Sequence, residues 1–107
     1  MPELPEVETT RRGILEKTYQ QNIVKVTIRN PNLRWPVDLS LGEQLPGKNI
    51  LAVERRGKYI LLTTDIGTLL IHLGMSGTLR IVPKNTPIIK HDHVDIELAN
   101  GFTLRLN

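Results

Sequence analysis

His93-Val94-Asp95-Ile96-Glu97-Leu98-Ala99-Asn100-Gly101-Phe102-Thr103-Leu104-Arg105-Leu106 is the stretch that decides the fold. Its two β-rich runs, His93 to Leu98 and Phe102 to Leu106, flank Ala99-Asn100-Gly101. Asn-Gly between such runs is the strongest short-range hairpin signal, because both residues tolerate the backbone of a tight turn. Working back along the chain, Thr78 to Val82, Thr68 to Leu73, Tyr59 to Thr64 and Ile50 to Val53 are further short β-rich runs. They are punctuated by Gly74 to Gly77, Asp65 to Gly67 and Gly57, so successive antiparallel hairpins are expected. Asn22 to Arg29 alternates, with Val24, Val26 and Ile28 facing one way and Lys25, Thr27 and Arg29 the other, and Asn30-Pro31-Asn32 ends it. Trp35 reads as a ring capping the core. Leu39 to Gly47 is open between a short helix and an irregular crossing, closed by Pro46-Gly47.

From Glu3 to about Lys17 the spacing predicts a helix. Leu4, Val7, Ile14 and Leu15 lie on one side, Glu8, Arg11, Arg12 and Glu16 largely on the other, and Pro5 is confined to the first turn. The expected class is α+β, mostly β: an antiparallel β-sandwich or flattened barrel with an N-terminal helix packed at one edge.

A chain of 107 residues is one small domain with one core. Its formal net charge of +3 is compatible with a polyanionic partner, although many basic domains bind no nucleic acid. With no cysteine, neither a disulfide nor a Cys-ligated zinc can form within it. The charged, proline-bearing start is unlike a signal segment and no apolar run approaches a membrane span, so an intracellular, soluble protein is expected. Four aromatic residues are too few for a base-stacking platform, which ranks a basic RNA- or protein-binding β-module last.

Met1-Pro2-Glu3-Leu4-Pro5-Glu6-Val7-Glu8 places a possible secondary amine beside three carboxylates at a helix start. If Met1 is removed, the Pro2 nitrogen becomes a basic nucleophile; if Met1 is kept, that nitrogen is acylated and cannot attack. A secondary amine that attacks a sugar C1′ forms an iminium with no N–H to lose, so the adduct stays cationic and draws electrons from C2′. An α-amino group titrates roughly three units below a lysine, which leaves more of it unprotonated at neutral pH. The alternative is that Pro and Glu are merely favoured in a first helical turn.

Arg55-Arg56-Gly57-Lys58 is a basic cluster placed on a turn between two apolar strands. It is either solvated surface or a phosphate contact. Met75, within His72-Leu73-Gly74-Met75-Ser76-Gly77, is either core filling or an apolar wedge. His91-Asp92-His93 is a poor metal site, because successive strand residues face opposite ways and no third ligand is evident.

Met-Pro-Glu-Leu-Pro-Glu-Val-Glu-Thr, Arg-Arg-Gly-Lys-Tyr from Arg55, His-Leu-Gly-Met-Ser-Gly from His72 and Lys-His-Asp-His-Val-Asp from Lys90 together resemble the formamidopyrimidine-DNA glycosylases. Leu4 and the Gly-Met-Ser-Gly loop set the chain apart from the related endonuclease VIII. The resemblance covers residues 1–107 and corresponds to the family's N-terminal catalytic domain alone; its helix-two-turn-helix and zinc-finger domains have no counterpart here. It implies a two-layer β-sandwich with flanking helices. It also implies a base-excision repair enzyme, glycosylase and abasic-site lyase, that removes oxidised purines such as 8-oxoguanine and formamidopyrimidines.

By the same resemblance Pro2 is the Schiff-base nucleophile and Glu3 the proton donor or shuttle. Lys58 contacts phosphates beside the lesion and assists elimination. Glu6, one helical turn on from Pro2, either orients the amine or is simply solvated. Met75 fills the space left by the flipped nucleotide, His72 and His91 contact the DNA, and Arg55 adds attraction, whereas His93 and Asp95 support the fold. No cofactor is expected in this chain, since the family's zinc is held by cysteines beyond residue 107. The expected partner is damaged double-stranded DNA, bound by a cytoplasmic bacterial monomer whose activity as this piece is impaired. The second reading is a non-catalytic relic that folds and binds DNA weakly through Lys58, Arg55 and His91.

Overall fold

The structure is a computed structural model that describes residues 4–29, 40–73, 78–90 and 92–107. The expectations for Pro2, Glu3, Trp35, Met75 and His91 fall outside these residues. Helix α1 spans Leu4–Thr18, close to the range its apolar spacing predicts. It is followed by β1 (Ile23–Ile28), a short α2 (Leu41–Gln44), β2 (Ile50–Arg56), β3 (Tyr59–Thr64), β4 (Gly67–His72), β5 (Leu79–Pro83), β6 (Val94–Leu98) and β7 (Phe102–Leu106). The strands form two open antiparallel sheets, ordered β1-β6-β7-β5 and β2-β3-β4. Neither sheet closes on itself, so of the two expected architectures the barrel gives way to stacked sheets.

The core lies between the sheets. Ile50, Val53, Ile60, Leu62 and Ile71 come from the three-stranded sheet, Ile23, Leu79, Ile96, Leu98 and Leu104 from the four-stranded one, and Val7 and Ile14 from α1. Helix α1 packs mainly on β2 and β5, which are edge strands of different sheets, so one helix shields two otherwise open edges.

Two hairpins depend on glycine. The β6–β7 turn is closed by Gly101 N–H donating to Leu98 O, with Gly101 at φ 86°. Asn100 does not share that left-handed backbone, so the expected Asn-Gly hairpin forms as a turn followed by a left-handed glycine. In the β2–β3 turn Gly57 has φ 57° while Lys58 stays at negative φ, the pattern that favours glycine at the first of two central positions.

Three expectations are corrected. Arg55 and Arg56 are strand residues, because β2 continues to Arg56 and leaves only Gly57 and Lys58 in the turn. The alternation in β1 slips at its start: a register shift between Ile23 and Lys25 puts Ile23 in the core and leaves Val24 55% exposed. Glu8 and Arg11 are half-buried against β2 rather than on the solvent side of α1, with Arg11 Nη1 donating to Val53 O at 3.4 Å.

Candidate active site

Strand register shows which pieces share an end of the sandwich. Arg56 pairs with Tyr59, and Tyr59 with His72, so the β2–β3 turn and the end of β4 lie side by side. Tyr59 and His72 bring their rings to 5.0 Å between centroids, tilted by 55°. In the other sheet, β5 begins at Leu79 opposite Leu106, and Val94 opens β6 opposite the same residue. Thr78 and Asn107 exchange backbone hydrogen bonds of 3.2 and 2.8 Å just beyond.

Helix α1 fixes the direction of both sheets. Near its C-terminus, Gln20 N–H donates to Ile50 O, and Asn100 Nδ2 donates to Lys17 O. Ile50 and the Asn100 turn therefore sit together at the far end. Near its N-terminus, Glu8 meets Arg55. The start of α1, the Gly57-Lys58 turn, His72, Thr78, Asn107, Asp92 and Lys90 accordingly gather at the near end.

Charge at that end centres on Glu8. Arg11 binds it with two bonds, Nε to Oε1 at 2.9 Å and Nη2 to Oε2 at 2.7 Å. Arg12 Nε donates at 2.9 Å and Arg55 Nε at 3.3 Å. The Arg11 hydrogen bonds, followed by those from Arg12 and Arg55, outweigh the partial burial that opposes ionisation and hold the carboxyl at about 2. Glu8 in turn raises the Arg11 pKa above its ordinary value. Around Glu8 the cations Arg11, Arg12, Arg55, Arg56 and Lys58 outnumber the described carboxylates, Glu6, Glu54 and Glu8 itself, the balance of charge that attracts a phosphate backbone.

Among the expected site residues, Lys58 is half-buried in its turn and His72 half-buried at the end of β4. Glu6 is exposed in the first turn of α1. Arg55 is held by Glu8 and donates from Nη1 to Gly57 O at 3.1 Å, so it ties the Lys58 turn to the helix. Pro2, Glu3, Met75 and His91 lie outside the described residues, and the structure brings together only the segments that flank them.

Sequence reasoning missed Glu8. Its spacing to Arg11 and Arg12 signals local pairs, but nothing local signals Arg55, 47 residues away. It assigned Asp95 to the fold but missed the ion-pair cluster that Asp95 shares with Arg29, Arg80, Asp92 and Arg105, in which the two aspartates and Arg105 are buried. Among the described residues, no group of three or more His, Cys, Asp or Glu side chains is placed to hold a metal ion. Asp92 is instead occupied by Arg80 Nη2 at 3.1 Å, Asn107 Nδ2 at 3.0 Å and the Ile89 N–H at 2.9 Å.

Two open sheets, one helix shielding an edge of each, and a cationic end beside the helix start define an α+β sandwich domain. The chain belongs to the formamidopyrimidine-DNA glycosylase N-terminal domain family, whose model matches residues 1–107. It is 62% identical to the formamidopyrimidine-DNA glycosylase of Hydrogenovibrio crunogenus over 98% of this chain and 38% of that protein. It is 60% identical to that of Syntrophotalea carbinolica over 100% of this chain and 40% of the relative. A crystal structure of the Lactococcus lactis Fpg with an abasic-site-containing DNA superimposes with a TM-score of 0.87 at 33% identity, covering 98% of this chain and 39% of that one. The chain thus spans about two-fifths of the length of the relatives it matches.

Proposed function

We propose that this chain is the catalytic N-terminal domain of a base-excision repair DNA glycosylase with abasic-site lyase activity, acting on oxidised purines in double-stranded DNA. The observation that carries the reading is the convergence of the α1 start, the Lys58 turn and His72 on one cationic end. Family membership supplies the chemistry to test there.

In this reading Met1 is removed and the Pro2 nitrogen attacks C1′ of the flipped nucleotide. The C1′–N bond breaks and its electrons leave with the base, which takes a proton from Glu3. The Pro2 nitrogen then loses its proton and its lone pair opens the sugar ring, breaking C1′–O4′ as O4′ takes a proton. The iminium so formed acidifies C2′; loss of a C2′ proton expels the 3′-phosphate, and loss of a C4′ proton expels the 5′-phosphate. Water then hydrolyses the iminium and frees Pro2. In the same reading Lys58 contacts a phosphate beside the lesion and assists elimination, and Arg55, bonded to Glu8 and to Gly57 O, holds the Lys58 turn. Glu6, one turn into the helix, orients the amine. Met75 fills the vacated stack, while His72 and His91 contact the backbone. No cofactor is assigned to these residues, and the working form is a cytoplasmic monomer.

The test is strand cleavage of duplexes carrying 8-oxoguanine or an abasic site, with the intact protein and its Pro2→Gly variant. Pro2-dependent cleavage of both supports the reading. Cleavage that persists in Pro2→Gly overturns Pro2 as the nucleophile, and no cleavage from a chain whose mass shows Met1 removed favours the non-catalytic relic.

A further inference from the structure

We propose that Asp92 is a positioning residue: it locks a strap, residues 84–90, across one sheet so that Lys90 is presented as a preorganised contact for a DNA phosphate. The proposal rests on the DNA-repair reading above and adds to it a second backbone contact, on the opposite sheet from Lys58.

The strap is defined by register. Thr27, Asp95, Arg105 and Arg80 are successive partners across β1, β6, β7 and β5, so they form one row on one face. The neighbouring row, Val26, Ile96, Leu104 and Ile81, faces the core. The Asp95 row therefore faces outward, where charged side chains are ordinarily solvated. Yet Asp95 and Arg105 are each only 4% exposed. What covers them is the chain between β5 and β6. It leaves the sheet at Lys84, whose N–H donates to Gly101 O, and returns at His93, whose N–H donates to Leu106 O, at the opposite end.

Arg105 pins the middle of the strap, donating from Nη1 to Thr86 O at 3.1 Å and to Pro87 O at 3.2 Å, while Nε and Nη2 grip Asp95 at 2.9 and 3.1 Å. Asp92 pins its end. Besides Ile89 N–H, Arg80 and Asn107, it lies 3.8 Å from Arg105 Nη1. Arg29 closes the cluster on Asp95 Oδ2 at 2.7 Å and on Asp92 O at 3.3 Å. Asn107 Nδ2 also reaches Lys90 O at 3.4 Å.

Four side chains, Arg29, Arg80, Arg105 and Asn107, thus hold a surface segment from the sheet side, and Lys90 is exposed at the near end, beside Asn107. Three arginines against two aspartates keep the strap cationic. A loop fixed before binding loses little ordering entropy when a phosphate arrives.

The sign of one substitution separates positioning from charge. Asp92→Asn in the intact protein removes a negative charge near the DNA, so simple electrostatics would tighten binding and leave the salt slope intact. The strap account gives the reverse. Affinity for an abasic-site duplex falls roughly 5- to 10-fold, and the slope of log K against log salt shrinks by about 0.9, one phosphate contact. Lys90→Ala gives the same slope loss, and the double variant loses no more than either single one. The trapping rate at saturating DNA stays at the wild-type value, so the loss is in binding and not in turnover.

Should Asp92→Asn fail to fold, Asn107→Ala removes a neutral donor to Asp92 and Lys90. It is expected to weaken binding roughly 2- to 10-fold. Unchanged or tighter binding by the folded variants overturns the strap. Wild-type protein that binds but forms no adduct overturns the catalytic reading alone, and wild-type protein that does not bind overturns both.

Discussion

Arg55 Nε lies 3.3 Å from Glu8 Oε1, an ion pair that joins β2 to the second turn of α1 across 47 residues of sequence. Through it the helix start and the Gly57-Lys58 turn are held as one unit. Because Arg11 and Arg12 share the same carboxylate, removing its charge loosens all three contacts together.

That pair gives an acid signature. The Glu8 carboxyl sits at about 2, below its ordinary 4.5, so the folded chain binds fewer protons than the unfolded one between those values. Its contribution is present in full above pH 4.5 and disappears as the pH falls through 2. Glu8→Gln is expected to lower the urea midpoint at pH 7, and the gap to wild type is expected to close as melts are repeated from pH 5 down to 2. A gap independent of pH would contradict the assignment.

Arg105 carries the buried cluster. Burial opposes ionisation of Asp95, but hydrogen bonds from Arg29 and Arg105 overcome it and hold the carboxyl below its usual range. Arg105→Met leaves that carboxylate buried with one partner fewer and should cost about 3–5 kcal/mol, the usual penalty for breaking a buried pair. Urea unfolding at pH 7 with an unchanged m-value measures it.

Ile23 and Val24 test the bulge. Strict alternation assigns Val24 to the core, whereas the structure buries Ile23 to 1% exposure and leaves Val24 at 55%. Ile23→Ala should cost about 2–4 kcal/mol by cavity formation. Val24→Ala should stay within about 0.5 kcal/mol. Reversed magnitudes would restore the simple alternation.

Gly57→Ala should destabilise by about 1–2 kcal/mol although no atom lies within 4 Å of the added Cβ, because the cost is the left-handed backbone itself. Chemical denaturation reads it directly.

Among the described residues the helix, the seven strands and the mostly-β class were legible because each rests on local spacing or turn chemistry: Val7 and Ile14 on one helical face, glycines between short β-rich runs. Sandwich or barrel stayed open, because closure depends on which strands pair across the chain. What could not be read was set by distant partners. Arg105 alternates with Leu104 and Leu106 as a solvent-facing residue should, and only the strap returning over it buries the charge. Arg55 looked free for DNA because its neighbours are basic, while its carboxylate partner lies in another element. The slip at Ile23 escaped because one inserted residue leaves the pattern of side-chain types almost unchanged.

The most direct measurement of the central claim is borohydride trapping of the intact protein on an abasic-site duplex, followed by mass mapping of the adduct. The account predicts a reduced sugar adduct on the N-terminal peptide beginning at Pro2, lost in Pro2→Gly. An adduct mapped to a lysine, or no adduct from a chain verified to begin at Pro2, would contradict it.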